Sequence, residues 1–238
     1  MDELTKLLEN VRQSGLHVPK STIRIARLAR QDWAESWKRH FKPLQIGRRL
    51  LVRPSWIKRR GPKGSAIVVL DPGLSFGTGQ HPTTRFCLEQ LVKRRRRNQP
   101  QSFLDVGSGS GILAIAAKKL GYQPVDALEI DPDAVRIARR NVRKNHLSGK
   151  VRIVCKDLSL FRAPRHYDLI CANLIFDLLI DCRQKLLQTL KPDGALVLAG
   201  ILKSQFPQVM RAYERHGFEV MARRAEGEWE SGTFQRGL

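Results

Sequence analysis

Residues 102–120 set a short apolar run, SFLDV, before the turn GSGSG and then ILAIAAKKL, a stretch apolar enough for a buried helix. Strand, tight turn and helix in that order form the unit from which parallel sheets are wound, so this segment constrains the fold more than any other. Gly107, Gly109 and Gly111 admit backbone angles that a Cβ forbids and let the main chain approach a bound molecule closely. Downstream, VDALEID predicts a second strand ending at Glu129. A carboxylate about twenty residues beyond such a turn typically accepts hydrogen bonds from ribose hydroxyls. The turn and the acid together predict a nucleoside-containing cofactor.

A dinucleotide requires G-x-G-x-x-G, with its pyrophosphate at the helix N-terminus. This chain has G-x-G-x-G preceded by Asp105, and an acid beside a pyrophosphate is repelled. An acid suits a cofactor with a cationic end, such as the ammonium and sulfonium of S-adenosyl-L-methionine. A glycine turn without a ligand is the alternative for the glycines alone; Asp105 and Glu129 weigh against it.

From residue 66 onward, apolar runs and helical stretches alternate. Strands are expected at 66–71, 102–106, 125–130, 150–155, 167–172, 195–199 and 218–224, with helices at 82–93, 111–120, 132–145, 175–190 and 203–216. This density predicts an α/β fold whose mostly parallel sheet is covered on both faces. The ligand crevice is then expected at the carboxyl ends of the strands, where the glycine turn, Glu129 and Asn173 converge. Before residue 65 the pattern differs. It shows an amphipathic helix (Leu4, Leu7, Leu8, Val11), a strand near TIRIARL, and the helix DWAESWKRHF with Trp33, Trp37 and Phe41 on one face. A strand, RLLVR, follows and is stopped by Pro54. The chain thus divides into a small N-terminal region with a linker helix, 1–64, and a larger α/β domain, 65–238.

The chain has 43 Lys and Arg against 22 Asp and Glu, a net charge of +21. Basicity of that size favours salt-dependent association with polyanions. Part of it is concentrated at Arg24–Arg30, KRR at 58–60 and KRRRR at 93–97, although solvated loops are the plainer account of any single run. No RNA-reading motif with interleaved aromatics accompanies these runs, so the charge points to a class of partner, RNA or a ribosomal particle. The apolar stretches AIVVL and ILAIAA are too short to cross a bilayer, and MDELTKLLEN is unlike a secretory signal. Cys87, Cys155, Cys171 and Cys182 lack paired or metal-ligand spacing. A cytoplasmic enzyme with reduced thiols and no metal is expected.

A more specific signal lies in QDWAESWKRHFKPLQIGRRLLVRPSW followed by LDPGLSFGTGQHPTTRFCLEQL. It continues through DVGSGSGILAIAAKKLG, LEIDPDAV, DLICANLI, LKPDGALVLAGIL and the closing EGEWESGTF. From about residue 31 to the end, these segments resemble the PrmA methyltransferases, which modify ribosomal protein L-11. The resemblance implies a class I S-adenosyl-L-methionine-dependent methyltransferase domain over 65–238, Rossmann-like, with a mostly parallel seven-stranded sheet whose last strand is inserted antiparallel. It implies cofactor contacts at Thr84, Gly107, Glu129 and Asn173, and it places Phe76 and Thr78 over the donor. Asp105, Gly109 and Gly111 complete the candidate cofactor set.

Asn173 is the candidate catalytic residue. An amide oxygen at the end of YDLICA can accept a hydrogen bond from an amine and aim its lone pair at a methyl carbon. Enzymes that methylate adenine or glutamine usually carry Asn-Pro-Pro-Tyr here, whereas Asn173-Leu174-Ile175-Phe176 argues for an aliphatic amine, of a lysine or a chain N-terminus. The expected activity is N-methylation of ribosomal protein L-11. The rivals are methylation of rRNA and a ribosome-associated binding module without catalysis. His81 reads as a loop or capping residue. The family carries a compact recognition domain ahead of the linker helix, where this sequence has about thirty residues, so either recognition is reduced and rests on basic surface or the substrate is different.

Overall fold

A computed structural model of the protein describes residues 41–71, 79–96 and 98–237. The N-terminal helices and strand expected before residue 41 lie outside the described residues, as do Phe76, Thr78 and Arg97. The chain runs β1 (Leu44–Ile46), β2 (Leu50–Arg53), β3 (Ala66–Val69), α1 (Pro82–Arg94), β4 (Phe103–Val106), α2 (Ile112–Leu120), β5 (Val125–Glu129) and α3 (Pro132–Lys144). It continues through β6 (Arg152–Cys155), β7 (Tyr167–Asn173), α4 (Phe176–Asp181), α5 (Arg183–Thr189), β8 (Leu190–Leu202), α6 (Phe206–Glu214), β9 (Phe218–Glu226) and β10 (Trp229–Arg236).

The main sheet is ordered β6-β5-β4-β7-β8-β10-β9. Its neighbours are parallel except at β10, which is antiparallel to both β8 and β9. Alternation sorts side chains to two cores. Phe103, Val125, Ala127, Leu169 and Cys171 face α1, α2, α3 and the small sheet β1-β2-β3. Leu104, Val106, Leu128, Ile170 and Ala172 face α4, α5 and α6. This is the class I methyltransferase architecture, with its antiparallel insertion.

Local sequence accounts for the helices that frame the crevice. In α2 every residue from Ile112 to Ala117 is buried, because the helix lies between the main sheet and β3. It stops at Gly121, which takes φ 94° and returns its N–H to the Lys118 carbonyl. In α3, Asp131 accepts the Asp133 N–H at 2.8 Å and Pro132 opens the first turn.

Several expected elements differ. The strand at 66–69 is absent from the main sheet and pairs in parallel with β2. The seventh main strand is β10, whose sequence WESGTFQR breaks the polar–apolar alternation that marks a strand. The helix expected at 175–190 is two, broken at Cys182 (φ −90°, ψ 8°), with β8 starting at Leu190. The helix expected from 203 starts at Phe206, because the β8 strand runs on to Leu202 and a turn follows.

Candidate active site

β4 and β7 are neighbours, yet the chain leaves β4 toward β5 on one side and β7 toward β8 on the other. At such a reversal a crevice opens above the carboxyl ends of the strands. Asp105, Glu129 and Asn173 meet there on one face, each continuing an alternating series: Phe103 then Asp105, Ala127 then Glu129, Cys171 then Asn173. Asp105 pairs with Ala127 on one side and Cys171 on the other, so Glu129 and Asn173 stand two residues further toward the crevice.

The glycine turn is pinned to β5 by the Gly107 and Ser108 N–H groups, which donate to the Leu128 carbonyl at 2.9 and 3.0 Å. Gly107 has φ +71°, and a Cβ on it would lie 2.4 Å from Leu174 Cδ2. The left-handed backbone is what favours glycine here, and a Cβ would also displace the end of the Leu174 side chain. At the far side of the turn, Gly111 is the N-cap of α2 and has no side chain to bond the helix. Asp105 substitutes: its Oδ2 accepts the Ala114 N–H at 3.0 Å. Its Oδ1 is buried and has no partner among the described residues. Burial pushes this carboxyl up to about 7, with the Ala114 N–H opposing and the Glu129 charge adding to the rise. Thr84 Oγ1 and Ser108 Oγ are likewise buried without partners among the described residues.

Among the described residues, Glu129 is held by backbone alone. Its Oε1 accepts the Ile130 and Asp131 N–H groups at 2.9 and 3.1 Å, and its Oε2 accepts the Gly109 N–H at 2.8 Å. A carboxylate offers about four lone-pair directions, so about one is left for a ligand and lies on Oε2. Asn173 is half-buried, and none of the described hydrogen bonds uses its side-chain amide. Gly200 of β8 (φ +83°) packs beneath it: a Cβ there would lie 2.5 Å from the Leu174 carbonyl and 3.1 Å from Asn173 Oδ1.

Beside Glu129 lies a cavity of about 100 Å³ walled by Val106, Leu128, Ile130, Leu158 and Leu174, with Asp157 at its edge. Asp157 is fixed by its own turn, accepting the Ser159 hydroxyl and N–H, both at 2.7 Å; these bonds hold its carboxyl below the usual range. Apolar walls with the carboxylates of Asp157 and Glu129 and the ammonium of Lys156 around them suit a flat heterocycle bearing an amino group and joined to a sugar. Ile130, Asp157, Leu158 and Gly200 were not singled out from sequence. The signal for the first three is positional, since they follow directly on the carboxyl ends of β5 and β6.

Thr84 lies in the first turn of α1, which packs on α2, β7, β8 and β10. Gly79, the residue after Thr78 in sequence, reaches the start of α2: a Cβ on it would lie 3.2 Å from Ile112 Cδ1. His81 precedes α1, pairs through Nδ1 with Thr83 Oγ1 at 2.7 Å and meets the Trp229 ring edge-on at 5.0 Å. The four cysteines are free thiols.

The model of the family described as ribosomal protein L11 methyltransferase (PrmA) matches residues 1–237. The chain belongs to this family. The match reaches about thirty residues further toward the N-terminus than the motifs do. A ribosomal protein L11 methyltransferase of Trichlorobacter lovleyi is 41% identical over 224 residues, which cover 92% of this chain and 73% of that protein. The crystal structure of a ribosomal protein L11 methylase from Lactobacillus delbrueckii subsp. bulgaricus superposes with a TM-score of 0.73 at 30% identity, covering 83% of this chain and all of that one. A putative RNA methyltransferase from Pyrococcus horikoshii shares the fold alone, with a TM-score of 0.56 at 18% identity over 71% of this chain and 92% of its own.

Proposed function

We propose that this chain is an S-adenosyl-L-methionine-dependent protein N-methyltransferase acting on amino groups of ribosomal protein L11. The observation that carries the reading is the unpartnered Asp105 Oδ1, buried beneath a glycine turn whose next strand ends in Glu129. A buried oxygen left unpaired costs about 1–3 kcal/mol, a penalty that a ligand presenting donors removes. An ammonium group suits Asp105, a ribose hydroxyl suits the open direction on Glu129 Oε2, and an adenine ring suits the apolar slot edged by Asp157. Thr84, Phe76 and Thr78 are the remaining proposed contacts.

When bound, the cofactor supplies an activated methyl group on a cationic sulfur. The chain's own part is to bind, orient and keep water out. The Asn173 amide oxygen would accept an N–H of a neutral amine, leaving the nitrogen lone pair to point at the methyl carbon. Gly200 sets that amide by allowing the β8 backbone beneath it. A ribosomal protein substrate puts the enzyme in the cytoplasm; among the described residues, no helix is long and apolar enough to cross a membrane.

The test offers labelled methyl donor with purified L11 and, separately, with rRNA. Label should enter L11 and be recovered on an amine nitrogen. Label in rRNA, or in neither fraction, overturns the reading.

A further inference from the structure

Many cations on the described surface are committed to the fold. Arg85, Lys144, Arg152, Lys191, Arg223 and Arg224 each pair with a carboxylate. Two members of the arginine run are committed too. Arg94 donates to Gln235 at 3.0 Å, while Arg95 bonds the Leu120 and Gly121 carbonyls at 3.2 and 2.9 Å and lies over the Tyr122 ring. These side chains tie α1 to α2 and β10, and they are poorly placed to grip a partner.

Another group is left available on the opposite face. Arg183, Arg211, Arg215 and His216 line a hollow of about 370 Å³ between the α4–α5 junction and α6. On the other side of α5, Arg162, Arg165, His166 and Lys185 line a second hollow of about 390 Å³. Of these eight, Arg165 alone comes within ion-pair distance of a described carboxylate, at 3.8 Å from Asp126. Arg183 donates to the Ile180 carbonyl at 2.8 Å and has no carboxylate partner among the described residues. The neighbouring acids Asp181 and Glu214 are exposed and form no ion pair with the described residues.

We propose that these two hollows form one surface for the phosphodiester backbone of folded RNA. Arg183 lines one hollow and Lys185 the other, so the two flank α5, whose width of about 10 Å is within reach of neighbouring phosphates on one strand. Each hollow admits a phosphate, and arginine forks bind its oxygens in pairs. The lining offers no exposed Phe, Tyr or Trp ring on which a base could stack, which favours a duplex backbone over an unpaired strand. The choice of RNA among polyanions rests on the proposed ribosomal substrate. His166 precedes β7 and Arg215 precedes β9, so the surface lies toward the amino ends of the strands and leaves the crevice open.

The experiment titrates a fluorescent RNA hairpin into the full chain at several salt concentrations. Four proteins are compared: wild type, Arg183→Gln/Arg211→Gln/Arg215→Gln, the double variant Arg211→Gln/Arg215→Gln, and a control on α3 of charge change equal to the triple variant's, Arg139→Gln/Arg140→Gln/Arg143→Gln. The first variant should flatten the slope of log affinity against log salt by about two, as three phosphate contacts are lost, and the control should change it far less. Arg211→Gln/Arg215→Gln, which leaves the Arg183 bond to α4 intact, should show most of the effect and guards against misfolding. Equal losses in the α3 control, or unchanged binding in both α6 variants, overturn the proposal. Competition by polyglutamate as effective as by RNA overturns it in favour of an acidic protein partner. Methyl transfer to free L11 is measured on the same samples. It should be unaffected, and its absence in wild type would count against the catalytic reading and not against this surface.

Discussion

At the scale of single residues, the crevice depends on where charge and hydrogen-bond capacity are left over. Asp105 has a folded pKa of about 7, above the roughly 3.9 of an unfolded Asp. The folded state therefore holds the extra proton between those values, and stability falls as pH rises from about 4 to 7, then levels. Asp105→Asn should flatten that part of the melting-temperature profile in the ligand-free protein. The same carboxyl must ionise to hold an ammonium, so donor affinity should weaken about tenfold per pH unit below 7. Calorimetric titration from pH 6 to 8 checks this, and an Asn variant with the same acid limb would sink the assignment. Asn173→Ala should behave differently, cutting single-turnover transfer at saturating donor about a hundredfold while donor affinity changes much less. A wild-type rate under those conditions would reduce Asn173 to a cofactor contact. Glu129→Ala should weaken the donor and also free the Gly109 N–H, so both affinity and turn rigidity are expected to fall.

At the scale of elements, close backbone approach decides which positions must be glycine. Gly107→Ala would place a methyl within 2.4 Å of Leu174 at a φ costing about 1–2 kcal/mol, so donor binding should be lost with only a modest fall in melting temperature. Gly200→Ala would push the Leu174 carbonyl and the Asn173 amide, and should slow transfer more than it weakens donor binding. Full activity in that variant would show that Asn173 is positioned by something else. The two glycines also mark how far sequence carries. The 105–111 turn is legible because strand, glycines and buried helix are adjacent in the chain. Gly200 is not, because its constraint comes from the loop after a different strand. β10 is hidden for a related reason: its buried positions include Glu230, Ser231 and Thr233, and the Glu230 charge is met by Arg223 across the strand pair. Asp157 and Leu158 read as ordinary loop residues until the parallel order of β5 and β6 brings them beside Glu129.

Across the molecule, the two ends of the parallel strands carry different burdens. At the carboxyl ends, polar atoms are left without partners and the backbone is held in conformations few residues tolerate. At the amino ends, the buried carboxylates are met by partners. Asp126, 3% exposed near the start of β5, accepts the Arg152 guanidinium at 2.7 Å and the Tyr167 hydroxyl at 2.6 Å. Burial, then the bond to Asp126, raises the Tyr167 hydroxyl well above the ordinary phenol range. Asp168 is tied in the same way to Ser102 and Lys191 at the start of β7 and β8. Such networks stabilise by being complete, and removing one member leaves a buried charge short of a partner. Tyr167→Phe should therefore cost about 1–3 kcal/mol, a fall in melting temperature of about 2–4 °C for each kcal/mol in a domain of this size. Because β7 runs its full length between Tyr167 and Asn173, donor affinity and transfer rate of the folded protein should stay at wild-type values. Thermal unfolding and donor titration on one preparation test both halves. A Tyr167→Phe protein that melts normally, or one that binds donor poorly while fully folded, would refute this division between a stabilising end and a reacting end.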